Sequence, residues 1–311
     1  MFATFSFVVL GGLIAALVAV ALRARSALQY GLIVAFLMVV GGFLFDEVGY
    51  FDQVLYVLLF VAVWLVERGK LVAAVAVMAL SPCVHEIAIL TILPLFGVVL
   101  LRRETLRRAI VATAIPAIVD VLVLLVPPAS SGATDHLAAR IAAGDFTARA
   151  DALALFMRSQ HDTWQLYSFH AGLVLVRPLM VTLVIIFVVF WLASRPALGS
   201  HDRQPEWLVL LASLAAIVMP HLLCYAGWDA NRWMFATIAS FTFVAWLALE
   251  RRDDTAVTLP MATVLLIAML IVSRLDLAFF DFQKPRVIGY SPIHAFLRSV
   301  RDGSLFSMPS Q

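Results

Sequence analysis

A His-Glu pair lies in a strongly apolar part of the chain. His85 and Glu86 stand in the motif Ser-Pro-Cys-Val-His-Glu of residues 81–86, near the middle of the otherwise apolar residues 71–100. Ionisable groups at membrane depth are costly and are usually there for a function. His85 could relay a proton and Glu86 could act as a general base. The alternative is a structural pair in which Glu86 caps the following helix.

A second polar group opens a later apolar segment and contains Trp228, Asp229, Arg232 and Trp233. Arg232 could hold a phosphate through its guanidinium, and the two tryptophans could stack on sugar rings. The alternative is that Asp229 is a helix N-cap and that the tryptophans belong to the aromatic belt of a membrane interface. His221, about two turns earlier, could reach the same cavity as Asp229 and Arg232, although an isolated histidine is more often structural.

Three further acidic or basic features could contribute to a site. Asp46 and Glu47 lie with Asp52 on a short acidic connection between apolar segments, where they form either a substrate-binding carboxylate pair or a solvated turn. Asp120 stands in the middle of one apolar segment and Arg177 near the outer end of the next, so the two could pair across a bundle. Arg177 could instead extend to the interface. The histidines follow no metal-binding spacing, so we predict neither a metal nor a cofactor.

Composition places the chain among membrane proteins. Hydrophobic residues make up 63% and charged residues 14% of the 311 residues, and the net charge is +2. Soluble domains average about 45–50% apolar and about 25% charged residues. We therefore predict an all-α, polytopic membrane bundle that forms one domain over residues 1–311, with no nucleic-acid partner. The sequence contains no P-loop and no dinucleotide fingerprint, which argues against nucleotide-driven transport and kinase chemistry.

Charge asymmetry predicts the topology. Apolar segments long enough to span a bilayer occur at residues 4–22, 28–45, 53–66, 109–127, 172–194, 207–226, 234–249 and 256–273. Basic residues cluster in alternate short connections, which the positive-inside rule places in the cytoplasm. Both flanks of residues 71–100 are basic, so that segment must cross an even number of times.

Residues 71–100 therefore form two short helices, roughly 71–80 and 87–100, with a break that Pro82 favours because it lacks an N–H and disfavours helical geometry at Ser81. The total is about ten crossings with both termini outside. Residues 128–171 are then an external amphipathic loop that could cover a cavity, and residues 274–311 are an external tail. His85 and Glu86 should face an external cavity, because non-helical backbone at this depth must be buried in protein or line water.

The order of Lys70, an apolar helix, the His-centred motif of residues 81–86 and another apolar helix resembles the middle of bacterial exopolysaccharide and O-antigen polymerases. Residues 229–233 are similar to the Asp…Arg motif that opens a late helix in those proteins. The resemblance covers residues 55–100 and 220–250. It implies a multi-pass enzyme of the bacterial inner membrane that acts on lipid-linked glycans at the periplasmic face, with other envelope-biosynthesis proteins as possible partners.

Three functions remain open, of which one is a structural or assembly subunit of an envelope machine. In a glycan polymerase or glycosyltransferase that uses polyprenyl-phosphate-linked sugars, Arg232 would hold the pyrophosphate, and Glu86, Asp229 or His85 would take a proton from the acceptor hydroxyl. In a proton-coupled transporter or flippase, the interrupted helix around His85 and Glu86 would form the binding site. No matching interruption or internal symmetry is evident in the second half of the sequence.

Overall fold

The computed structural model of the chain describes residues 2–24, 29–37, 51–125, 170–194, 204–225 and 230–249, together with four single positions between 132 and 139. Every regular element within these ranges is helical, which confirms the all-α prediction for the described part of the chain. Four predicted site residues lie outside the described residues: Asp46, Glu47, Trp228 and Asp229. The final predicted span, the external tail and nearly all of the external loop also lie outside them.

Nine helices and two 3-10 segments are described. The helices are α1 (Phe2–Arg23), α2 (residues 29–37), α3 (Phe51–Glu67), α4 (Leu71–Val84), α5 (Ile92–Arg103), α6 (Leu106–Leu124), α7 (His170–Ser194), α8 (Glu206–Val218) and α9 (Ala230–Leu249). The 3-10 segments are Glu86–Ile89 and Met219–Tyr225. Each helix falls on a predicted apolar segment, and most of the ends lie within four residues of the predicted ends.

A tight turn joins α3 to α4. Gly69 has a φ of +71°, a left-handed conformation that glycine adopts without steric cost. The Gly69 N–H donates to the Val66 carbonyl at 2.9 Å, and the Lys70 N–H donates to the Leu65 carbonyl at 2.9 Å. This is the Schellman arrangement, which satisfies carbonyls at a helix end. It returns α4 against α3, so that the end of α4 reaches the level at which α3 begins.

The break between α4 and α5 lies at His85, within the predicted residues 81–86, but α4 ends four residues later than predicted. Helix α4 continues through Ser81 and Pro82 and ends at Val84. Pro82 has no N–H to donate to the Met78 carbonyl, four residues earlier, and the Ser81 hydroxyl donates to that carbonyl at 2.6 Å. Because this serine compensates for the proline, the helix extends for two residues beyond Pro82.

The helices pack around a continuous hydrophobic core. Helix α3 lies against α4, α4 and α5 lie against α6, and α9 lies against α7. Large fully buried side chains such as Phe96, Phe187 and Phe235 fill the spaces between these helices. The first turn of α3, the end of α4 and the first turn of α9 are the parts of this bundle that carry the site.

Apolar side chains also cover much of the outside. On α6, Ile110, Ile118 and Leu122 are each more than half exposed, and they share one side of the helix. By length and composition, Glu206–Leu223 and Arg232–Leu249 could each cross a membrane, although 78% of the second segment is buried in the bundle. The total number of crossings stays a prediction.

Candidate functional site

A buried ion pair joins the beginnings of two helices that are distant in sequence. Asp52 lies in the first turn of α3 and Arg232 in the first turn of α9. The Arg232 Nε donates to Asp52 Oδ2 at 2.8 Å, and its Nη2 donates to Asp52 Oδ1 at 2.9 Å. Two parallel charge-assisted bonds of this kind hold a guanidinium in a defined orientation. The ion pair therefore fixes the position of the Arg232 guanidinium.

Arg232 also contacts His85. Its Nη2 lies 3.1 Å from the Nε2 of the imidazole. A guanidinium only donates hydrogen bonds, so Nε2 must be the acceptor and the imidazole proton must lie on Nδ1. His85 Nδ1 lies 2.9 Å from Glu86 Oε2, which can only accept when the carboxylate is ionised. The contacts therefore define one tautomer, a neutral His85 that donates to Glu86.

The four side chains form a chain of contacts that we call the polar relay: Asp52, Arg232, His85 and Glu86. Exposure of the side chain rises along it, from 6% for Asp52 through 16% for Arg232 and 19% for His85 to 50% for Glu86. The described relay carries two carboxylates and one guanidinium. Its accessible end is thus an oriented carboxylate, and its buried end is the ion pair.

The interrupted hairpin places His85 and Glu86. Helix α4 ends with the His85 N–H donating to the Ser81 carbonyl at 3.0 Å, and His85 then takes an extended backbone with φ −161° and ψ 129°. The 3-10 segment begins at Glu86, and the Thr91 hydroxyl donates to the Ile87 carbonyl at 2.9 Å. The extended backbone at His85 takes this residue out of the α4 helix, and its imidazole contacts Arg232 and Glu86.

Trp233 does not have either of the predicted roles. It is 6% exposed, so its indole neither stacks on a sugar nor belongs to an interfacial belt. The Arg232 guanidinium carbon lies 5.3 Å from the centroid of its ring, within cation–π range. The Nε1 of this buried indole has no hydrogen-bond partner. Trp233 packs into the core next to Arg232, beneath the relay.

The predicted pair of Asp120 and Arg177 does not form. Asp120 is 1% exposed and both of its carboxylate oxygens lack a hydrogen-bond partner. The Ile89 N–H faces this carboxylate without a hydrogen bond of good geometry, and His85 and Glu86 are near enough to act on its charge. Helix α6 packs on the hairpin that carries those residues, whereas α7, with Arg177, packs on α9 and α8. Helix packing therefore separates the two.

Arg177 and His221 lie near each other. Arg177 is exposed and His221 is 5% exposed, and the Arg177 charge acts on the imidazole. Both side chains have partners of their own. The prediction that His221 opens into the same cavity as the relay stays a prediction.

The structure brings together three of the predicted site residues, His85, Glu86 and Arg232. It adds Asp52, which the sequence had shown only as a charge beside Asp46 and Glu47. The sequence signal for this ion pair was the position of its two residues. Asp52 stands at the start of one apolar segment and Arg232 at the start of another, and both starts were predicted to lie on the same side of the bundle. The structure also gives Arg232 a positioning role, because its Nε and Nη2 are engaged by Asp52 and His85, and its predicted role in holding a phosphate stays a prediction.

Within the described ranges, no group of three or more His, Cys, Asp or Glu side chains is arranged to hold a metal ion. Comparison of the chain with protein families, with curated proteins and with solved structures finds no match. The resemblance to polysaccharide polymerases therefore remains a prediction from the sequence, and the relay is the basis for any functional proposal.

Proposed function

We propose that the chain is a membrane-embedded transferase that uses polyprenyl-phosphate-linked sugars, with Glu86 as the general base. The observation that carries the proposal is the half-exposed Glu86 carboxylate, held by the His85 Nδ1–H, which is in turn held by the Asp52–Arg232 pair. A base needs an accessible lone pair in a fixed position. The relay provides this at one end of the bundle.

The proposed step is a displacement at the anomeric carbon of the donor sugar. The acceptor hydroxyl loses its proton to a Glu86 oxygen as its own oxygen bonds to that carbon. The bond from the carbon to the lipid diphosphate breaks, and the diphosphate leaves with the electron pair. His85 stays neutral and keeps Glu86 in position, and Arg232 with Asp52 keeps His85 in its reactive tautomer.

The apolar exterior of the bundle supports the membrane setting. Val72 on α4 is 85% exposed, Val8 on α1 is 65% exposed, and α6 carries an apolar outer side. Large exposed apolar surfaces mark contact with lipid or with a partner protein. A substrate anchored by a lipid would reach the relay by diffusing in the bilayer, so no nucleotide-binding domain is needed for this chemistry.

One observation favours the transporter as a second candidate. Asp120 is a buried carboxylate without a hydrogen-bond partner, and it lies close to the interrupted helix. Intramembrane carboxylates of this kind often carry protons in coupled transport. In that function, Asp120 would be essential and the exposure of Glu86 would matter less.

The two candidates are separated by Glu86→Gln and Asp120→Asn in cells that lack the native gene. The readout is the length distribution of the envelope glycan on gels, with membrane levels of each variant measured in parallel. For a transferase, Glu86→Gln lowers the rate of polymer formation by about 10²- to 10⁴-fold, the contribution of a general base. Glu104→Gln is the matched control, because Glu104 pairs with Arg108 at the opposite end of α5. Wild-type glycan from Glu86→Gln would contradict the proposal, and loss of glycan only with Asp120→Asn would favour transport.

A further inference from the structure

A long apolar groove lies beside the relay. Its volume is about 410 Å³, and its walls come from α1, α2, α3 and α9. Along α3 it extends from Tyr56 to Glu67, and eleven residues correspond to about 17 Å at the helical rise of about 1.5 Å per residue. The groove thus runs along the helix axes for roughly half of a hydrocarbon core of about 30 Å.

The walls of the groove offer almost no polar group between its ends. They are formed by side chains such as Leu17, Phe60 and Phe243. Thr242 also lines the groove, but its hydroxyl donates to the Ile238 carbonyl at 2.8 Å and is therefore already satisfied. A sugar or an extended peptide would lose hydrogen bonds to water in such a groove without replacing them. A hydrocarbon chain carries no such cost.

The two ends of the groove differ. At one end, Arg23 Nη1 and Glu67 Oε2 form an ion pair at 2.6 Å. At the other end lies Tyr56, which is 8% exposed and whose hydroxyl has no hydrogen-bond partner. Tyr56 is one helical turn from Asp52 and near enough to feel its charge, and its ring packs edge-on against Phe235 with centroids 5.4 Å apart. Tyr56 therefore lines the groove at the end that adjoins the relay, and its unsatisfied hydroxyl is buried at that end.

We propose that this groove binds the hydrocarbon chain of the lipid-linked substrate, with the oxygen that joins chain to phosphate accepting a hydrogen bond from Tyr56. A buried hydroxyl without a partner is unfavourable, and a ligand oxygen at this point would satisfy it. Because Tyr56 and Phe235 follow Asp52 and Arg232 by about one turn, a lipid seated here presents its head to the relay. The inference rests on the proposed function for the identity of the lipid.

The test uses the full chain in lipid nanodiscs and a polyprenyl phosphate that carries a photoreactive diazirine in its chain. After illumination, labelled peptides are identified by mass spectrometry. We expect labels on the groove-lining segments of α1, α3 and α9, which unlabelled polyprenyl phosphate competes away. Labels spread evenly over exposed outer sides such as that of α6 would overturn the proposal. So would peptide-to-peptide cross-links that show another segment or a second copy of this chain in the groove.

Two variants and a control sharpen the result. Ala16→Phe places a ring in the groove, where it should displace two methylenes of the lipid chain. Because each buried methylene strengthens binding about fourfold, labelling should fall about fifteenfold. Tyr56→Phe removes only the hydroxyl and lowers labelling about two- to tenfold. Ala73→Phe makes the matched substitution at an exposed position of α4 that does not line the groove, and it should label like the wild type.

Lipid labelling does not require turnover, so the two proposals fail separately. Groove labelling that Ala16→Phe and Tyr56→Phe reduce, combined with normal glycan from Glu86→Gln, would support the groove and contradict the transferase. Equal labelling of the wild type, Tyr56→Phe and Ala16→Phe would overturn the groove proposal whatever the glycan assay shows. Tyr56→Phe keeps the test valid if Ala16→Phe does not fold, because it adds no bulk.

Discussion

Replacing Asp52 by Asn should destabilise the protein by removing the carboxylate that pairs with the Arg232 guanidinium at the buried end of the relay. The substitution keeps the shape of the side chain and removes the charge that faces Arg232 at 2.8 and 2.9 Å. Breaking a buried ion pair by removing one partner costs about 3–5 kcal/mol. Arg232 retains 16% exposure and its contact with His85, so we expect the lower end of the range, about 3 kcal/mol.

A double-mutant cycle separates the pair from other effects of the substitutions. Asp52→Leu and Arg232→Met should each lower the free energy of unfolding by about 3 kcal/mol, so independent effects would sum to about 6 kcal/mol. The double variant should lie within about 1 kcal/mol of the wild type, since an apolar pair of similar volume can replace a buried ion pair.

The measurement is unfolding of the purified protein in mixed micelles by titration with a denaturing detergent, followed by tryptophan fluorescence. The same double variant should not restore glycan formation, because His85 has then lost the donor that fixes its tautomer. A cost below about 1 kcal/mol for both single variants would refute the reasoning, because it would mean that the ion pair is solvated. Additive effects in the double variant would refute the direct coupling of the two side chains.

Other predictions concern the elements that position the relay. Ser81→Ala should lower the free energy of unfolding by about 1–3 kcal/mol in the same assay, because the Met78 carbonyl then loses its hydrogen-bond donor and Pro82 has no N–H to replace it. An unchanged free energy would show that the serine hydrogen bond is dispensable. Gly69→Ala should lower the free energy of unfolding by about 1–2 kcal/mol, because alanine is strained in the left-handed conformation of this turn. The added Cβ would meet no atom within 4 Å, so backbone strain is the whole effect. An unchanged stability would contradict the left-handed turn. Asp120→Asn should leave the unfolding free energy unchanged or raise it, because the carboxylate has no hydrogen-bond partner; a clear loss would indicate a partner that the structure does not show.

Much of the helical architecture follows from local sequence. Apolar segments of about twenty residues can be satisfied in an apolar medium only as helices, because the backbone must pair within itself. Gly69 between α3 and α4 and the interruption after residues 81–84 are likewise local signals, and both appear in the structure. The extent of α4 was not predictable from Pro82 alone, because the Ser81 hydroxyl offsets the missing N–H through a contact within the same turn.

The sequence by itself determined that the chain is apolar and helical, that a break separates α4 from α5, and that His85 and Glu86 stand at that break. Only the tertiary structure decided which distant charges they meet. Asp52 and Arg232 are 180 positions apart, and their pairing depends on how α3 and α9 pack, which periodicity does not encode. The same packing separates Asp120 from Arg177 and buries Trp233, so the predicted pair of Asp120 and Arg177 was wrong. Depth along a helix is a local property, whereas the neighbour across a bundle is set by the packing of all the helices together.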